Sequence, residues 1–354
     1  MNDGPNKLFY WMLVFIPVSL YFGYFTNNDV LSFITAILAI VPLAVIMGFA
    51  TKDIVLRSSP TIGGLINATF GNAIELIIAI LALSQGLVEI VRASLIGSII
   101  GNLLLLIGLS VLFGGLKYKE QRFNKISAGV SSTMLIIAVA ALAIPTFFSL
   151  TTNTTPDHIQ VLSDVLAGVM AAIYLAGLFF ALHTHKQLFD ASDEIKSSHD
   201  KPLLSKKLAL MILLAAVIMV TFVSEALVKT VKHAAFSIGM TQTFVGIVII
   251  AIITNIAEKL TAVHFARENK LDISLEIGLS SAIQIALFVV PILVIISSIF
   301  HYGFSLVFTA FEVITMLFAV MIINHLSADG RCNWLEGAQL ISLYLIIAIV
   351  YYFI

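Results

Sequence analysis

Two copies of one four-residue pattern, Asn72-Ala73-Ile74-Glu75 and Asn255-Ile256-Ala257-Glu258, lie inside long apolar runs. They are 183 residues apart, and the same offset carries Ser98 onto Ser281. A carboxylate in the middle of a membrane helix is costly, so its presence marks a functional position. Carboxylate, amide and hydroxyl oxygens together hold hard cations such as Ca²⁺. Two such acids at matched positions of a duplicated chain predict one site assembled from both copies.

The elements that must position these residues follow from composition. Hydrophobic residues make up 60% of the 354, charged residues only 11%, and mean hydropathy is +1.06. Soluble domains carry about a quarter charged residues. Apolar runs of about 18 residues or more recur, each able to cross a hydrocarbon core of about 30 Å. In lipid the backbone must satisfy its own hydrogen bonds, so these runs are helices. The expected fold is an all-α polytopic membrane protein of eleven transmembrane helices, a first helix plus two inverted five-helix repeats. Residues 1–29 hold the N-terminal helix, 30–184 the first repeat, 185–206 a cytosolic linker and 207–354 the second repeat. The linker is expected where Lys, Asp, Glu, Ser and His cluster around Pro202. Leu8–Phe25 has no convincing cleavage site and reads as a retained helix rather than a signal peptide.

The two Asn-x-x-Glu runs fall on the third and eighth spans, 65–86 and 242–265. The matched serines fall on the fourth and ninth, 93–115 and 275–298. Positions three and four apart share a helix face. One face of the third span then presents Asn67, Ala68, Gly71, Asn72 and Glu75; the eighth presents Ala251, Thr254, Asn255 and Glu258. The fourth adds Ser94, Gly97, Ser98, Gly101 and Asn102, and the ninth adds Ser280, Ser281 and Gln284. These faces carry no His or Cys, which argues against zinc or copper. Gly63, Gly64 and Gly71 predict a helix break in the third span; the eighth has Gly246 but Thr254 where Gly71 sits, so its break has less support in the sequence.

Fifteen of the 19 Lys and Arg residues fall in loops of one face under this count. That asymmetry predicts a cytosolic N-terminus and an external C-terminus. The short polar lead leaves no room for a regulatory tail, so the expected location is a multi-pass protein of a bacterial inner membrane. The net charge of −1 and the lack of a basic tract with aromatics argue against nucleic acid. Cys332 is the single cysteine and has no disulfide partner. A hydrolase is disfavoured because neither G-x-S-x-G nor H-E-x-x-H occurs. No enzyme activity and no cofactor is expected; the partners are the bilayer and transported ions, and a homo-oligomer is compatible.

The run Gly63–Leu76 (GGLINATFGNAIEL) and the run Gly97–Leu105 (GSIIGNLLL) resemble the calcium/proton exchanger family of the cation/calcium exchanger superfamily. Asn255–Glu258 and Ser281–Phe288 match it more loosely. The resemblance implies exchange of cytosolic Ca²⁺ for external protons, with Glu75 and Glu258 as central ligands of the transported Ca²⁺. It makes Asn72, Asn255, Ser98, Asn102, Ser281 and Gln284 supporting ligands, and Asn67, Gly71, Glu312 and Lys259 candidate modulators. The alternative is a monovalent antiporter of the same fold, exchanging Na⁺ or K⁺ for H⁺. Lys259 departs from the family, which has histidine there. It either snorkels to the cytosolic end of its span, about 9 Å away, or sets an ammonium beside Glu258 that opposes a divalent ion.

Overall fold

The computed structural model describes residues 7–152, 155–185 and 202–354. Most of the linker expected at 185–206, including Asp190, Asp193, Glu194 and Asp200, lies outside them. Eight helices are long and apolar enough to cross a membrane: α1 (Leu8–Phe25), α2 (Asp29–Val55), α5 (Val88–Lys117), α6 (Lys125–Thr151), α7 (Pro156–Thr184), α8 (Lys206–Ser237), α11 (Leu271–Phe300) and α13 (Trp334–Phe353). Two further apolar stretches are bent pairs: α3 (Pro60–Gly71) with α4 (Ala73–Ser84), and α9 (Gln242–Thr254) with α10 (Ile256–Arg267). One shorter apolar helix, α12 (Ala310–Leu326), completes the helical set among the described residues.

Helix starts are set locally. Ser59, Asn124, Thr155, Ser205 and Thr241 each accept a backbone N–H of the following first turn, satisfying donors that no helix can pair internally. α1 is peripheral, with little of its surface covered. α5 is the most enclosed span, and its centre packs against α9.

That crossing has no room for side chains. A Cβ on Gly97 would lie 2.2 Å from the Ile247 carbonyl oxygen, and one on Gly246 would lie 2.6 Å from Ala93 Cβ. The backbones of α5 and α9 therefore touch, as membrane helices do where small residues face each other. α5, α9 and α11 each carry a π-helical turn, at Gly101–Leu106, Val245–Ile250 and Ile285–Val289. Such turns add one residue per turn and re-aim neighbouring side chains, often at functional positions.

The expected span 304–325 is corrected: the helix starts six residues later, at Ala310. Before it the chain turns at His301 and Gly303, both with positive φ (56° and 76°), and then runs non-helically through a buried interior. Phe304, Leu306 and Phe308 are all buried. Their N–H groups are taken by hydroxyls of other helices: Ser297 at 2.7 Å, Ser163 at 3.0 Å and Thr146 at 2.9 Å. Irregular backbone is tolerated at membrane depth when protein groups satisfy it in this way. Ser163→Ala would orphan the Leu306 N–H, costing about 1–3 kcal/mol. We expect a lower melting temperature in detergent, while Ser163→Thr keeps most of the stability.

The all-helical expectation also missed a two-residue antiparallel pair, Gln121–Arg122 with Arg331–Cys332. It joins the loop after α5 to the loop before α13, and Gln121 further donates to Ala266 O at 2.8 Å. Burial, reinforced by Glu336 and Asp329, pushes the Cys332 thiol up. Since the thiolate is the reactive form, Cys332 should resist maleimide near neutral pH until the protein is denatured. Mass spectrometry of labelled protein before and after denaturation measures this.

Candidate cation-binding site

Both breaks fall on the asparagine of the repeated pattern. Asn72 separates α3 from α4 with φ −106° and ψ 16°, and Asn255 separates α9 from α10 with φ −99° and ψ 18°. The bends are 45° and 59°. The second is the sharper although Thr254 stands where Gly71 sits. Its local cause is shared by both copies. The backbone N–H of each asparagine bonds the carbonyl two residues back, Phe70 O or Ile253 O. The carbonyl four residues back is then taken by the asparagine's own side chain, Ala68 O at 3.4 Å and Ala251 O at 3.1 Å. An amide side chain replaces one rung of the ladder, and glycine is not required.

Glu75 and Glu258 sit in the first turns of α4 and α10, where helix N-termini carry partial positive charge that favours carboxylates. Glu258 accepts the Ser281 hydroxyl at 2.7 Å. Asn102 donates its amide to Ser281 Oγ at 2.8 Å and to Asn255 Oδ1 at 3.2 Å. Asn255 donates to Ser98 Oγ at 3.1 Å and Thr254 Oγ1 at 3.1 Å. Asn72 donates to Gln284 Oε1 at 2.7 Å. Glu75 lies near Glu258, Lys259 and the Thr254 hydroxyl, and that hydroxyl donates to Ile250 O at 3.1 Å. The α3–α5 and α9–α11 regions thus meet through two hydrogen-bonded groups in an apolar interior, the Asn72–Gln284 pair and the network from Ser98 through Asn255, Asn102 and Ser281 to Glu258.

Glu75, Asn72, Asn255, Ser98, Asn102 and Ser281 are all buried, and Glu258 and Gln284 are partly exposed. Asn102 sits in the π turn of α5, and Gln284 directly precedes that of α11. Two buried oxygens, Glu75 Oε2 and Asn72 Oδ1, have no hydrogen-bond partner among the described residues. Buried acceptors without donors are costly, and a cation is the partner that such oxygens suit.

Other sequence candidates fall outside the network. Ser94 and Ser280 bond their own helices, at Val91 O and Ile277 O. Asn67 is exposed. Gly71 lies beside Gln284, whose Oε1 would be 4.0 Å from an added Cβ. Glu312 caps α12 reciprocally with Thr309: its Oε2 accepts Thr309 N at 2.7 Å, and its own N–H bonds Thr309 Oγ1 at 3.2 Å. That makes Glu312 a structural cap.

The snorkelling expectation for Lys259 is overturned. Its side chain is 4% exposed, and Nζ reaches back to Ala251 O at 3.4 Å and Asn102 Oδ1 at 3.5 Å. The side chain turns inward, toward the charge of two carboxylates and two acceptor oxygens, rather than to the near membrane face. Ala251 was placed on the site face by helical spacing, but the part its carbonyl plays, accepting from both Asn255 and Lys259, follows from the fold.

Broken apolar helices that bring two acids into a polar interior are an arrangement suited to carrying ions across a membrane. The sodium/calcium exchanger protein family matches residues 28–183 and 208–353. The chain belongs to that family, and it is a secondary transporter rather than an enzyme. It is 40% identical over 363 residues to a Ca²⁺/H⁺ antiporter of Aphanothece halophytica, covering 99% of this chain and 97% of that one. The solved structure of native YfkE superposes with a TM-score of 0.85 at 38% identity, covering 98% of this chain and all of that one. The H⁺/Ca²⁺ exchanger CAX superposes at 0.72 with 15% identity over 98% of this chain and 92% of its own, a likeness of fold alone.

Proposed function

We propose that the chain exchanges cytosolic Ca²⁺ for external protons by alternating access at a midplane site formed by Glu75 and Glu258. The observation that carries this reading is the network in which Ser281, Asn102 and Asn255 tie Glu258 to Ser98, with Glu75 beside it. The relatives described as Ca²⁺/H⁺ antiporters support the choice of ions. Asn72, Asn255, Ser98, Asn102, Ser281 and Gln284 supply or orient further oxygens. Deprotonated, the two acids hold Ca²⁺; protonated, they release it. Carriers that cross only in those two states couple proton entry to Ca²⁺ exit, with about one proton per carboxylate.

The proposal includes eleven crossings, counting each bent pair and α12 once, and an inverted relation between 30–184 and 207–354. The two separately matched segments support that division. It also includes the cytosolic N-terminus predicted from the basic residues. A monovalent cation/proton exchange is a second reading, favoured by one observation, the buried ammonium of Lys259. Proteoliposomes with an imposed pH gradient, offered Ca²⁺, Na⁺, K⁺ and Mn²⁺ in turn, decide between them. Gradient-driven Ca²⁺ uptake supports the first reading; uptake of Na⁺ or K⁺ alone replaces it with the second.

A further inference from the structure

We infer that the Lys259 ammonium is a tethered occupant of a second cation position in the carrier and is the residue that sets ion selectivity. The inference rests on the same site as the proposed exchange but not on which ion is carried. Lys259 extends from the first turn of α10 back past Glu258 into the network. Both of its acceptors are oxygens of types a cation uses: the Ala251 carbonyl, which it shares with the Asn255 amide, and the Asn102 side-chain oxygen. Gly101 borders the head group, its Cβ position 4.0 Å from Nζ, so the small residue leaves space for it.

The ammonium also fixes how Asn102 presents itself. With Oδ1 turned to Lys259, Nδ2 is committed to Asn255 Oδ1 and Ser281 Oγ. Two amide oxygens that could ligate an ion are thereby engaged by donors. An incoming ion must compete with a positive charge already seated, and with the hydrogen bonds that charge maintains. Two carboxylates alone balance one divalent ion or two monovalent ions. With Lys259 in place they balance one monovalent ion, or they hold a divalent ion against repulsion. At effective dielectric constants near 20, one unit charge within several ångströms of a divalent ion shifts binding by more than tenfold.

Ion-dependent melting of detergent-purified protein tests this without requiring transport, because a bound ion raises stability in proportion to ln(1 + [ion]/Kd). Lys259→Met and Lys259→Gln should need at least tenfold less Ca²⁺ for half the maximal shift. They should also gain stabilisation by Na⁺ with a Hill coefficient approaching two. Lys259→Arg keeps the charge and should stay within about threefold of the unmodified chain. Unchanged Ca²⁺ midpoints in the neutral variants, or weaker binding in them, would overturn the inference. If neither neutral variant folds, the unmodified chain decides. Stabilisation by Na⁺ with a Hill coefficient near two means both positions are open and refutes the proposal; a coefficient near one supports it. Failure of proton-driven Ca²⁺ uptake in vesicles would instead remove the exchange reading, leaving this comparison intact.

Discussion

Replacing either carboxylate with its amide, Glu75→Gln or Glu258→Gln, should lower proton-driven Ca²⁺ uptake by at least 100-fold. The amide keeps the shape and much of the hydrogen bonding but carries no charge. At an effective dielectric constant near 20, a unit charge 4 Å from another contributes about 4 kcal/mol, and a divalent partner doubles that. Even after subtracting the large desolvation cost that a carboxylate incurs and an amide avoids, on the order of 3 kcal/mol of lost affinity remains. The amide also mimics the protonated acid permanently, so it can neither gain nor release a proton. Ca²⁺/Ca²⁺ exchange without a pH gradient should fall with it. Surface expression and melting temperature should stay near normal, since in Glu258→Gln the Ser281 hydroxyl can still donate to the amide oxygen that replaces the carboxylate. Flux per folded molecule, measured with a radioactive Ca²⁺ tracer, separates loss of chemistry from loss of protein.

The second large effect is structural. Gly97→Leu should leave little or no folded protein. A Cβ alone at this position would meet the Ile247 carbonyl oxygen at 2.2 Å and its Cα at 2.4 Å, both backbone atoms that cannot rotate away. α5 would have to lift from α9 by more than an ångström. That movement would separate Ser98 from Asn255, which now hydrogen-bond at 3.1 Å across the same crossing. Gly129→Leu is the control, because nothing lies within 4 Å of a Cβ there. Monodisperse yield by size-exclusion chromatography should collapse for the first variant and persist for the second. Equal yields would mean that the crossing is not the packing constraint described here.

Much of the architecture was legible in the sequence because membrane helices need long apolar runs and because duplicated polar residues stand out against them. The Asn-x-x-Glu copies marked the two spans that carry the breaks, and the matched serines marked their partner helices. Helical spacing put Ser98 and Asn102 on one face, and the 183-residue offset paired Ser98 with Ser281. Three features were not legible, each for a physical reason. Residues 304–309 read as helix because they are apolar, but backbone donors of Phe304, Leu306 and Phe308 go to Ser297 on the preceding helix and to Ser163 and Thr146, far away in sequence. The bend at Asn255 had less support in the sequence because side-chain capture of the Ala251 carbonyl, rather than a glycine, accompanies it. Lys259 was ambiguous because a flexible four-carbon stem reaches either the membrane surface or the interior, and the three-dimensional positions of Asn102 and Ala251 decide which.

Functional assignment of the acids rests on their acting as one site rather than two. Calorimetric Ca²⁺ titration of the purified unmodified chain, Glu75→Gln, Glu258→Gln and the double variant tests that most directly. Groups that share one ligand are strongly non-additive. The account predicts one Ca²⁺ bound at the carboxylate site per chain, with each single variant binding as weakly as the double. Two ions per chain, or either single variant retaining one ion at undiminished affinity, would contradict it.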